Sequence, residues 1–184
     1  MRLRLRHIFL LSGILLTIFS FLFFGRRQAT YGRLLSAGLL LAGISFLFIL
    51  FKDNRKGKWL WILVVIISVV IEQLTEPFLI RYSYKLFIGQ NNKLLTEVNQ
   101  IMRSKTRDVF YLRDSEDSGK FSIDERSKIQ QLFSQTGIYM IIKDSARVYY
   151  GTYGMLDVRL GVSYFYSDKI PGDRYERIID KWYY

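Results

Sequence analysis

Three apolar runs crowd the first 80 residues of this 184-residue chain, and they constrain its fold more than any other feature. They cover residues 8–25, 31–51 and 59–80. Each is close to the roughly 20 residues that a helix needs to cross about 30 Å of hydrocarbon. Backbone amides and carbonyls find no partners in lipid, so each run must satisfy its own hydrogen bonds as a helix. The sequence therefore predicts a membrane α-helical domain with three transmembrane helices over residues 1–80. A small extramembrane α+β domain, an antiparallel sheet with two helices, follows over residues 81–184.

Charge divides along the same line. Residues 1–80 hold 10 Lys/Arg against three acids (Asp53, Glu72, Glu76), whereas residues 81–184 hold 17 against 13, so the net +11 splits into +7 and +4. A basic chain can bind phosphate backbones. Here the surplus sits beside the apolar runs, where basic residues orient membrane helices and meet anionic head groups. The partner this charge implies is the lipid bilayer, not nucleic acid. The chain has no cysteine and one histidine, His7, at the edge of the first run. Disulfides, thiol nucleophiles and Cys/His zinc sites are excluded, and no credible Ser-His-Asp triad can be assembled.

The first run follows Arg2, Arg4, Arg6 and His7, a start that resembles the basic region of a secretory signal. It ends Gly25-Arg26-Arg27 with no small-x-small exit, which predicts an anchor that is kept. The second run carries Gly32, Ser36, Gly38, Ala42 and Gly43, small residues that let helix backbones approach closely. They predict a packing face toward the other spans rather than a dimer motif. In the third run the purely apolar part stops at Ile71, so the span must continue through Glu72 and Glu76, which share one helix face. Intramembrane carboxylates usually face a bundle interior or a cavity. These two lie in the last third of the span, with Trp59 and Trp61 at the other end, so the head-group region is their expected place. Counting basic residues near the span ends gives seven against six for a cytoplasmic N-terminus. Three spans then put the C-terminal domain outside the cytoplasm, as in a multi-pass protein of a bacterial inner membrane.

In the second domain, Asn91 or Asn92 reads as the N-cap of an amphipathic helix with Leu94, Leu95, Val98, Ile101 and Met102 on one stripe. A short strand is predicted over residues 108–112. Ser122 and Glu125 form a capping box, opening a helix that buries Ile129, Leu132 and Phe133 and stops at Gly137. Residues 138–143 and 147–152 read as a hairpin around Asp144-Ser145-Ala146, and residues 158–166 alternate as a strand. Residues 175–184 are ambiguous between strand and helix.

Two constellations in this domain could carry function. Asp114, Glu116, Ser118 and Glu125 stand at positions 1, 3, 5 and 12 of an EF-hand-like spacing, with Gly119 at position 6. The segment entering it reads as strand, and Glu125 is already needed for the capping box, so a solvated acidic turn is expected and calcium is the alternative. Arg147, Tyr149 and Arg159 on predicted strands, with Tyr153 just past the end of one, stand at positions facing away from the core. Aromatic and guanidinium groups on one sheet face suit a planar ligand or a protein partner, although tyrosines also cover sheets routinely. There is no phosphate loop, metal-binding histidine pair or nucleophile elbow. The reading is a non-enzymatic membrane protein, without a cofactor, whose C-terminal domain binds a small ligand or protein partner at the membrane surface. One alternative is a homo-oligomeric pore or membrane-disrupting effector gated by that domain; its layout is similar to membrane effectors of prokaryotic antiviral defence. Another is a toxin-immunity or accessory subunit.

Overall fold

A computed structural model describes residues 4–25, 28–106, 108–111, 121–155, 158–167 and 175–184. It holds four α-helices, α1 (Leu5–Ser20), α2 (Gln28–Lys52), α3 (Arg55–Arg103) and α4 (Ile123–Thr136), and a 3₁₀ turn at Phe21–Phe23. Its six strands are β1 (Asp108–Tyr111), β2 (Met140–Lys143), β3 (Arg147–Met155), β4 (Val158–Phe165), β5 (Arg177–Ile179) and β6 (Trp182–Tyr183). The chain forms two compact units, and the boundary between them falls inside α3, after Ser83.

The helical unit contains three helices long and apolar enough to cross a membrane: Leu5–Phe23, Ala29–Lys52 and the beginning of Arg55–Arg103. Its core is small: Leu10, Ile49 and Trp61, with Ile14, Phe46, Val64 and Val65 packed around them. Its outside is apolar instead, with Leu40, Phe48, Ile66, Leu74 and Phe78 all exposed. A soluble protein seldom leaves so continuous an apolar surface uncovered, and lipid is the solvent that suits it. The small residues do unequal work. A Cβ on Gly38 of α2 would lie 2.5 Å from Thr17 Oγ1 and 2.8 Å from the Thr17 amide nitrogen of α1. One on Gly13 would lie 2.5 Å from the Ala42 nitrogen, whereas Gly32 and Gly43 have nothing within 4 Å. The α1–α2 contact is thus backbone against backbone at Gly13, Gly38 and Ala42. This is the close approach that small residues permit in lipid.

In the second unit the strands form one antiparallel sheet in the order β1-β2-β3-β4-β6-β5. Ser122 Oγ accepts the Glu125 amide at 3.2 Å and the Glu125 carboxylate accepts the Ser122 amide at 2.8 Å, so the predicted capping box opens α4. Gly137 closes it with φ 74°, a left-handed conformation that glycine adopts without strain. Leu95, Val98 and Met102 of α3 are buried, as are Ile129, Leu132 and Phe133 of α4 and Ile141, Val148, Tyr150 and Val162 of the sheet. Residues 175–184 resolve as the β5–β6 hairpin, turning at Asp180, and β6 adds to the sheet beside β4.

One expected boundary is absent. No helix starts at Asn91 or Asn92; α3 runs unbroken through 49 residues, about 74 Å at 1.5 Å per residue. Asn91 Nδ2 donates to the Phe87 carbonyl one turn back, at 2.8 Å, a bond made from the helix interior. An asparagine caps only where the preceding turn is missing, and Tyr84, Phe87 and Ile88 are buried and keep that turn helical.

The polar contact at the centre of this unit is Tyr150 Oη, which donates to Asn99 Oδ1 at 2.7 Å. Burial pushes the Tyr150 hydroxyl well above its ordinary pKa, so it stays a donor. Tyr150→Phe should destabilise the protein by about 1–2 kcal/mol, because the buried Asn99 carbonyl loses its donor. Thermal melting of wild type, Tyr150→Phe, Asn99→Ala and the double variant checks this. Strictly additive losses would show that the bond contributes nothing.

Candidate functional site

The sheet face that carries Arg147 is built by the β2–β3 turn. Asp144 Oδ1 accepts the amides of Ala146 and Arg147 at 2.8 and 2.9 Å, and its Oδ2 accepts Arg147 Nε at 3.1 Å. Burial raises the Asp144 pKa, but the two amides and the guanidinium outweigh it and hold the carboxyl below its ordinary value. Arg147 Nη1 also donates to Ser163 Oγ at 3.2 Å. Three rings frame the guanidinium: Tyr175 at 5.0 Å, and Tyr149 and Phe165 at 6.0 Å. Phe165 in turn meets Tyr175 and Tyr183 edge-on. The result is a cation fixed from several sides whose side chain is still 27% exposed. Ser163, paired with Tyr149, lies on the same face and is buried beneath the cluster.

Of the four residues predicted for this surface, Arg147 and Tyr149 come together. Tyr149 pairs with Ser163, but the register shifts between Gly151 and Tyr153, so that Tyr153 pairs with Leu160 and Gly154 with Arg159. One extra residue in a strand reverses the alternation beyond it. The side chains of Tyr153 and Arg159 lie outside the described residues.

Glu72 and Glu76 are half-buried on α3, while Leu74 and Phe78 beside them are exposed. Both carboxylates therefore lean toward the helical bundle rather than toward lipid. Asp114, Glu116 and Ser118 lie outside the described residues. Glu125 accepts Lys105 Nζ at 2.9 Å besides capping α4. The Lys105 bond, with the Ser122 amide, holds its carboxyl below the ordinary value. Among the described residues no group of three or more His, Cys, Asp or Glu is placed to hold a metal ion.

A further cluster in the helical unit was not singled out from the sequence. His7 Nδ1 accepts the Arg4 amide at 3.2 Å and its Nε2 lies 3.0 Å from Asp53 Oδ2. That pattern places the proton on Nε2, donating to the carboxylate. Arg6 bonds the other oxygen of Asp53, and the His7 ring stacks on Trp61 at 4.5 Å. With both ring nitrogens engaged, His7 is a structural tie and not a free general base. The available signal was compositional: Asp53 is the only acid before Glu72. Comparison with family models, with curated proteins and with solved structures gives no match.

Proposed function

We propose that the chain is a non-enzymatic membrane protein of the sensor or accessory type. Its C-terminal α+β domain binds a ligand or protein partner through the sheet face around Arg147 and Tyr149. The observation that carries this reading is the Arg147 guanidinium, held by Asp144, Ser163 and three rings and still partly open to solvent. Ordering an arginine ordinarily opposes binding; here that loss is taken at folding, so an incoming carboxylate or planar group meets a preset fork of donors. In this reading the N-terminus is cytoplasmic and the domain lies outside the cytoplasm. A second reading, an oligomeric pore, draws on the lean of Glu72 and Glu76 toward the bundle.

The chain has no cysteine, so a single introduced thiol reports unambiguously. Ile123→Cys sits on a side chain 87% exposed at the start of α4. A membrane-impermeant maleimide should label it in intact cells, placing the domain outside. The Tyr149→Cys thiol should react more slowly in native membranes than in purified protein, and adding Arg147→Gln should abolish that protection. Equal rates in the two settings would refute an occupied face, and labelling at Ile123→Cys only after lysis would reverse the orientation.

A further inference from the structure

At one end of the helical unit α1 begins at Leu5, α2 stops at Lys52 and α3 starts at Arg55. A cavity of about 530 Å³ opens there, lined by Arg4, His7, Lys52, Asp53, Lys56 and Leu60 with Asn54 and Gly57. That size lies within the usual range for ligand pockets. Its charge is one-sided. The sole acid in the lining, Asp53, is already matched by Arg6, and its second oxygen faces His7. Among the described residues no carboxylate pairs with Arg4, Lys52 or Lys56, so three cations converge on the space. The same Asp53 network ties the α2–α3 connection to α1. Lys52 and Lys56, on either side of Asp53, are thereby held near Arg4.

The rim adds a second requirement. Leu60 lines the cavity and is exposed, and Leu5, Phe51 and Trp59 stand exposed near the same helix ends. Apolar and aromatic side chains around a basic cavity at a helix end are the arrangement expected at the bilayer interface. A wholly soluble anion would use the cations and leave this collar idle.

We propose that this cavity binds the phosphate of an anionic phospholipid. The phosphate lies among Arg4, Lys52 and Lys56, and the acyl chains run down over Leu60 and the neighbouring apolar surface. Three ammonium and guanidinium groups attract a head group of net negative charge. They repel the quaternary ammonium that accompanies the same phosphate in phosphatidylcholine, so the site selects by net head-group charge.

The test uses the full-length chain in a non-ionic detergent, with bound lipid counted by native mass spectrometry. Dihexanoyl-phosphatidylglycerol should be retained at least about tenfold more tightly than dihexanoyl-phosphatidylcholine. Lys52→Gln/Lys56→Gln should erase the preference, and Arg33→Gln/Arg81→Gln, which removes equal charge elsewhere on the unit, should preserve it. Equal retention of the two lipids by wild type, a comparison that needs no variant, overturns the proposal. Equal loss in both double variants overturns it too, because binding would then follow overall charge. Inorganic phosphate at millimolar concentration should not displace the lipid; if it does, the site takes free phosphate and the lipid assignment fails.

Discussion

Asp53→Ala is expected to destabilise the helical unit by about 1–3 kcal/mol, the range for leaving shielded donors without their acceptor. The carboxylate side chain is 9% exposed, that of Arg6 17% and that of His7 3%. Truncation leaves a guanidinium and an imidazole N–H without their acceptor. Asp53→Asn keeps one acceptor and should fall between. Acid tests the same contact. Burial pushes the Asp53 carboxyl up, but hydrogen bonds from His7 and Arg6 outweigh it and hold it below its ordinary value. A carboxylate with a depressed native pKa stabilises the fold above its unfolded value of about 3.9, and that contribution fades as pH falls through the lower native one. Melting of wild type in micelles should be flat with pH above about 5 in this respect, with a loss below about 4 that Asp53→Ala does not share. An alanine variant that melts with wild type at neutral pH would show the cluster to be incidental.

Gly38→Leu is expected to do more, separating α1 from α2. The first side-chain carbon would already lie 2.5 Å from Thr17 Oγ1, 2.8 Å from the Thr17 amide nitrogen and 2.9 Å from the Gly13 carbonyl oxygen. A threonine side chain can rotate away; two backbone atoms cannot. Relief requires the helices to part and give up their close contact, which in lipid is the main force joining them. Gly38→Ala should lose about 1–3 kcal/mol by overpacking, and the leucine variant more than that. Gly43→Leu, at a position with nothing within 4 Å, should stay within about 0.5 kcal/mol of wild type. Melting and size-exclusion profiles in mild detergent decide it. A well-behaved Gly38→Leu protein would mean that the two helices do not meet at this point.

Much of the local structure was legible because its causes are local. The Ser122–Glu125 box and Gly137 delimit α4, since a cap needs only residues within a turn of each other. Asp144-Ser145-Ala146 between two short β-type segments marked the β2–β3 hairpin. The start of the predicted helix at Asn91 and Asn92 failed for a reason outside that window. The buried turn before it, through Tyr84 and Phe87, keeps α3 continuous. Residues 175–184 were ambiguous because a two-residue strand has too little pattern of its own; β6 exists by pairing with β4.

The candidate sites divide in the same way. Arg147 and Tyr149 could be put on one face by strand alternation, but the register shift between Gly151 and Tyr153 could not be foreseen that way. A bulge answers to packing across the sheet and leaves no mark in a period-two pattern. Arg6, His7 and Asp53 lie 46 and 47 positions apart in the chain, and no spacing rule joins them. What the sequence determined by itself were three helices able to cross a membrane, the basic character of their ends and the capped, turned and alternating elements of the second unit. Hydropathy, charge and short-range hydrogen bonding act along the chain. Which glycines touch, which acid neutralises which base and where cations converge on a cavity were decided only in the tertiary structure, because these depend on which helix and strand faces pack together.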